Sequence, residues 1–122
     1  MRKPLVLKIT EYSICLRENE KNMLIPIYEE SLAIFSSFLD LAKAGKSSED
    51  KEYVKYLNGQ ISILKAAIND LNSIQMISFS SGDIPKICCL IAPIMTEYQT
   101  NKDLCSILES FTEVFNLLIG EK

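Results

Sequence analysis

Histidine and tryptophan are absent from this chain of 122 residues, and glycine and proline occur only four times each. Without histidine, a Ser–His–Asp triad, a Cys–His nucleophile and the Glu-x-x-His ligands of di-iron bundles are all excluded. The four glycines form neither a phosphate-binding glycine motif nor the Gly-x-Ser-x-Gly motif of hydrolases. These absences predict a protein that is not an enzyme and that binds no cofactor.

The four cysteines lack the spacing of a zinc site. No Cys-x-x-Cys pair occurs, and Cys88 and Cys89 are adjacent, so on a helix they would point about 100° apart. Isolated cysteines of this kind are typical of small buried side chains in a reducing compartment. We therefore expect buried free thiols and no bound metal, with a redox function of Cys88 or Cys89 as an alternative.

Acidic residues outnumber basic ones by sixteen to thirteen, which gives a net charge of −3. A protein that coats nucleic acid by neutralising phosphates would carry the opposite charge. No apolar run reaches the roughly eighteen residues of a membrane span, and Lys8 and Glu11 interrupt the N-terminal apolar stretch before it reaches signal-peptide length. The sequence therefore predicts a cytoplasmic protein without a membrane span, and it argues against nucleic-acid binding.

Apolar residues recur every three or four positions along most of the chain, which is the pattern of amphipathic helices. The first helix is predicted between Ile25 and Ala44, with Pro26 in its first turn. The second begins in the serine–acid run 47–52 and continues to about Gln75. Gly59 lies inside it and indicates either a close approach of another helix or a simple loss of stability.

Two further helices are predicted in the C-terminal part. One begins after an N-cap at Asp83 and reaches Tyr98, and Pro93 is expected to kink or split it. The other follows Asn101 and ends at Gly120. The polar run 78–83 is predicted to be a loop.

The N-terminal segment fits two patterns. Alternating apolar residues from Leu5 to Ile9 fit a strand, whereas four residues have helical spacing: Leu5, Ile9, Tyr12 and Leu16. We predict a helix here, followed by a polar connector at 17–22. Residues 1–122 are thus predicted to form one all-α domain, an up-and-down bundle of four or five antiparallel helices.

The segment from Ile87 to Met95 has no polar side chain on any face. Such a helix is buried on all sides or uses one side to contact another chain. On the last helix, Glu109 and Glu113 share one face, in the more acidic part of the chain, and would attract a basic partner. We expect the partner surface to comprise Ile87, Leu90, Ile91, Ile94, Glu109 and Glu113.

These features predict a non-enzymatic helical protein that binds another protein, as an inhibitor, an immunity factor or a chaperone does, or that self-associates. Two alternatives remain open. One is a helical structural subunit of a larger complex, in which Arg2, Lys3 and Lys8 would contact nucleic acid. The other is a thiol-dependent redox protein. No motif assigns the chain to a family.

Overall fold

The computed structural model describes residues 11–45 and 48–120. Four helices and two strands follow one another in the order β1 (Glu11–Cys15), α1 (Glu18–Lys43), α2 (Ser48–Ile74), β2 (Met76–Ser80), α3 (Ile84–Tyr98) and α4 (Cys105–Gly120), with a 3₁₀ turn at Lys102–Leu104. The mostly helical class is confirmed, and the described residues also contain a small sheet that the sequence did not predict. None of the described helices is long and apolar enough to cross a membrane.

The end of the N-terminal segment is a strand, so the prediction of a helix is wrong for the residues that the structure describes. β1 pairs antiparallel with β2, and Ile14 lies opposite Ile77 with both side chains buried. The apolar residues here are Tyr12, Ile14 and Leu16, and they alternate with polar residues and an exposed cysteine, as is typical of a strand. They occupy even-numbered positions, whereas the alternating apolar residues from Leu5 to Ile9 occupy odd-numbered ones. Leu5 and Ile9 themselves lie outside the described residues.

β2 occupies part of the predicted loop. Ile77 and Phe79 are buried while Ser78 and Ser80 are more exposed, so the polar serines lie on the other face of the strand. The actual turn is confined to residues 81–83, where Gly82 has a φ of 92°. The Asp83 carboxylate accepts a hydrogen bond from the backbone N–H of Ser80 at 2.8 Å and closes this turn.

α1 begins at Glu18 and not at Ile25, so the predicted connector is its first turns. Glu20 accepts a hydrogen bond from the backbone N–H of Arg17 at 2.9 Å, which caps the helix. Acidic side chains at this end also interact favourably with the helix dipole. These turns are polar because they are largely exposed, and Pro26 lies inside the helix.

The remaining helices agree with the sequence. α2 is one helix through Gly59, and it ends at Ile74; the φ of 53° at the next residue, Gln75, turns the chain into β2. The backbone N–H of Leu16 donates to the Gln75 carbonyl at 2.9 Å, so this turn also holds the end of β1. α3 runs continuously through Pro93, which does not split it, and α4 ends at Gly120.

The main core lies between the sheet, α3, α4 and the adjoining ends of α1 and α2. α1 and α2 have 26 and 27 residues, so each is about 40 Å long, whereas the 15 and 16 residues of α3 and α4 reach only about 23 Å. The antiparallel α1–α2 hairpin therefore continues beyond the core. We call its far end, residues 36–43 and 48–57, the arm; Ala42 and Leu57 are buried there, outside the main core.

Candidate functional site

The structure divides the predicted partner-binding residues into two groups. Ile87, Leu90 and Ile94 are fully buried within this chain, and Ile91 is half-buried against the same core. These side chains pack α3 against the rest of the fold and are therefore not accessible to a partner. The apolar residues that α3 does expose are Pro85, Cys88, Ala92 and Met95. A helix that is apolar on every side gives no sequence signal for which side is covered.

Glu109 and Glu113 are exposed on α4, as expected for residues that could meet a partner. They line a concavity of about 450 Å³ together with Tyr98 at the end of α3. The thiol of Cys105 donates to the Glu109 carboxylate at 3.5 Å, and the Lys102 ammonium lies 4.3 Å from the centre of the Tyr98 ring.

A larger groove, of about 610 Å³, lies between α1, α2 and α3. The apolar part of its wall consists of Ile27, Ile34 and Phe35 from α1, Tyr56 from α2, and Pro85, Cys88, Cys89, Ala92 and Pro93 from α3. α3 contributes mainly the side that it does not turn into the core. The groove is thus formed where three helices meet without filling the space between them.

The apolar wall of the groove continues along the arm. Ile34, Phe38 and Leu41 follow one stripe of α1, and Tyr53 and Tyr56 follow one stripe of α2, with their rings stacked at 6.2 Å. Ile34 and Tyr56 both line the groove, so the two stripes lie on the same side of the hairpin. We call these five residues the arm face; each is between 43% and 74% exposed.

The arm face is exposed because α3 does not extend as far along the hairpin as the arm. The Cys89 sulfur lies 3.9 Å from the Gln60 carbonyl oxygen, which places the first turns of α3 beside the middle of α2. α3 begins at Ile84, only five residues before Cys89. Among the described residues, the hairpin beyond that level therefore has no third helix on this side. The predicted partner surface did not include the arm face, since periodicity marks the apolar stripe but not where the covering helix stops.

The charged residues that line the groove are both acidic. Glu30 of α1 and Glu97 of α3 line the groove and also a smaller concavity of about 240 Å³ beside it. Glu109 and Glu113 line the separate concavity of about 450 Å³ beside Tyr98. No lysine or arginine of the described ranges lines any of these three surfaces. Their electrostatic potential therefore favours a cation.

The thiols are less buried than expected. All four are free, and Cys15, Cys88 and Cys105 are exposed. Burial, with a smaller contribution from Cys88, raises the pKa of the Cys89 thiol to about 11, so this thiol is protonated near neutral pH. In the parts of the chain that the structure describes, no three Cys, Asp or Glu side chains are grouped so as to hold a metal ion. Arg2, Lys3 and Lys8, the predicted nucleic-acid contacts, lie outside those parts.

Comparisons of the chain with protein-family models, with curated proteins and with solved structures found no match. The chemistry of the groove and the arm face is therefore the basis on which a function can be assigned.

Proposed function

We propose that this protein is non-enzymatic and binds another protein through the groove and the arm face, as an inhibitor, an immunity factor or a chaperone does. The observation that carries the proposal is the arm face: five large apolar side chains stand exposed in one continuous surface beside a groove. Single exposed apolar residues are ordinary, but contiguous ones typically mark an interaction site.

The size of the arm face is consistent with reversible binding. From their exposed fractions, its five side chains present roughly 500 Å² of surface, given about 150–250 Å² for a whole large side chain. Burying that area contributes about 12 kcal/mol of favourable binding free energy, which is similar to the entropic cost of bringing two molecules together. Contacts with the groove and its rim would bring the area near the roughly 800 Å² per partner of a standard interface.

The polar groups of the groove support binding and not turnover. A nucleophile and its base stand within hydrogen-bond reach of each other in catalytic sites. Among the described residues, the Cys88 thiol and the carboxylates of Glu30 and Glu97 form no hydrogen bond with one another. The neighbouring Cys89 thiol is held in its protonated, unreactive form.

The experiment compares two identical substitutions at exposed isoleucines. Ile34 is 47% exposed on the arm face, and Ile74 is 59% exposed at the far end of α2. We expect Ile34→Ser to reduce retention of the bound partner at least tenfold in quantitative co-purification from the cells that make the protein. Ile74→Ser is expected to leave retention unchanged, and circular dichroism should show both variants folded. Equal retention by the two folded variants would refute the proposal.

A further inference from the structure

We infer that the element which occupies the groove and the arm face is a basic amphipathic helix of the partner protein, with its apolar side on the arm face and lysine or arginine beside Glu30 and Glu97. This inference rests on the proposed function and names the chemistry of the partner.

The surface has the length and composition of a helix-binding groove. From Glu30 to Leu41, α1 extends about 16 Å, which matches three turns of a partner helix. Apolar side chains follow this length on both sides, with Ile34 and Phe38 on α1 and Tyr53 and Tyr56 on α2. An amphipathic helix in such a groove inserts residues spaced by three, four and seven positions.

The groove is acidic at the end away from the arm. Glu30 and Glu97 line the part of the groove away from the arm, and no lysine or arginine of the described ranges lines it. On α2, Lys51 and Lys55 are two positions from Tyr53 and therefore lie on the opposite side of the helix. A partner helix with basic residues near one end of its apolar stripe would pair with both carboxylates and would be steered toward them.

A second copy of this chain fits the surface less well. If two hairpins met face to face and antiparallel, the end of one arm would approach Glu30 and Glu97 of the other. That end carries Glu49, Asp50 and Glu52 in the first turns of α2. Like charges would then face each other at both ends of the interface, which opposes association.

The chain's own residues 1–10 are the other competing occupant. They precede Glu11, which pairs with Ser80 close to the start of α3, and they contain Arg2, Lys3 and Lys8. In extended conformation a segment places alternate residues on one face, which here are three apolar side chains, Leu5, Leu7 and Ile9. Three side chains are too few to cover the five of the arm face together with the groove.

Fluorescence anisotropy of two labelled 18-residue peptides tests the inference on the full chain. One peptide combines leucine with lysine in an amphipathic helical pattern, and the other has glutamate in place of each lysine. We expect the lysine peptide to bind at least tenfold more tightly and to weaken as salt increases. Equal binding of the two peptides would overturn the inference.

Matched charge variants locate the binding. Glu30→Gln with Glu97→Gln removes the two groove carboxylates, whereas Glu29→Gln with Asp40→Asn removes two exposed carboxylates on the side of α1 away from the arm face. Both double variants have the same net charge. The first should weaken binding of the lysine peptide about tenfold, which is the sum expected for two partly exposed ion pairs, and the second less than twofold. Equal losses would overturn the inference.

Two further results would identify another occupant and so overturn it. The first is a dimer of the full chain in analytical ultracentrifugation that Phe38→Ser converts to a monomer. The second is a tenfold gain in peptide binding when Leu5→Asn and Leu7→Asn are introduced together. If the peptides bind equally but Ile34→Ser still loses its natural partner, the proposed function stands and only the basic character of the partner is refuted.

Discussion

Tyr28 shows how a polar group is accommodated in this core. Its ring is fully buried, and its hydroxyl donates to the carbonyl oxygen of Leu90 at 2.9 Å, which joins α1 to the middle of α3. Burial is the main reason why its pKa is raised well above 10.0, with a smaller contribution from Cys89. Both side chains are therefore neutral when the protein is folded at physiological pH.

Cys89 makes the protein less stable at alkaline pH. In the unfolded chain the thiol loses its proton near the ordinary pKa of 9.0, but in the folded protein it keeps the proton up to about 11. Above pH 9 the unfolded state binds fewer protons at Cys89, so the contribution of this thiol to the free energy of unfolding falls as pH rises and stops changing above about pH 11. Urea denaturation between pH 8 and 11 should show a smaller fall for Cys89→Ala than for the unchanged protein. Cys88→Ala, at an exposed position, is the control and should retain the fall; an equal slope in all three proteins would contradict the assignment.

At the scale of elements, the helices show which local signals are reliable. α2 keeps its apolar spacing through Asn58 and Gly59 and remains one helix, although these two residues are typical of a turn. A Cβ at Gly59 would have no atom of a described residue within 4 Å beyond its own stretch of α2, so none of the described helices approaches there. Of the two explanations that the sequence offers for Gly59, the structure therefore supports a simple loss of helix stability.

Alanine at two glycines should have opposite effects on stability. Gly59→Ala is expected to raise the free energy of unfolding by about 1 kcal/mol, because alanine loses less backbone entropy in a helix and meets no neighbour. Gly82→Ala is expected to lower it by about 1–2 kcal/mol, because the φ of 92° disfavours a side chain even where space is open. Thermal and urea denaturation of both variants measure the two changes, and a destabilised Gly59→Ala would mean that this side of α2 is not open.

At the scale of the whole molecule, the hairpin divides the fold into a well-packed part and an arm. Leu24 and Tyr28 of α1 and Leu64 and Leu71 of α2 belong to the main core, whereas the arm buries little beyond Ala42 and Leu57. Local stability follows the amount of buried apolar contact. The arm should therefore open without unfolding of the core, which would allow it to adjust to a partner.

Amide hydrogen exchange should show this division. We expect amides in the arm, residues 36–43 and 48–57, to exchange through local opening, with protection at least tenfold below that of residues 22–30 and 62–71 in the same two helices. Because the comparison is made within each helix, differences in helix length or solvent conditions do not affect it. Uniform protection along α1 and α2 would show that the hairpin is one cooperative unit with the core.

The sequence alone was sufficient to locate the helices in which buried residues recur at a regular spacing. Val54, Leu57, Ile61 and Leu64 keep one phase, because each turn of α2 meets α1 in the same way, and this pattern can be recognised without knowing the fold. It also predicted that Glu109 and Glu113 would share an exposed face of α4.

Only the tertiary structure decided which apolar residues are covered. Pairing of β1 with β2 joins Ile14 to Ile77 across about half of the chain, and such pairing has no short-range signal. Ile87 and Leu90 entered the core while Ile34 and Phe38 remained exposed, although all four have the same apolar character. The reason is that exposure depends on where a neighbouring helix ends, and α3 is too short to cover the hairpin to its tip.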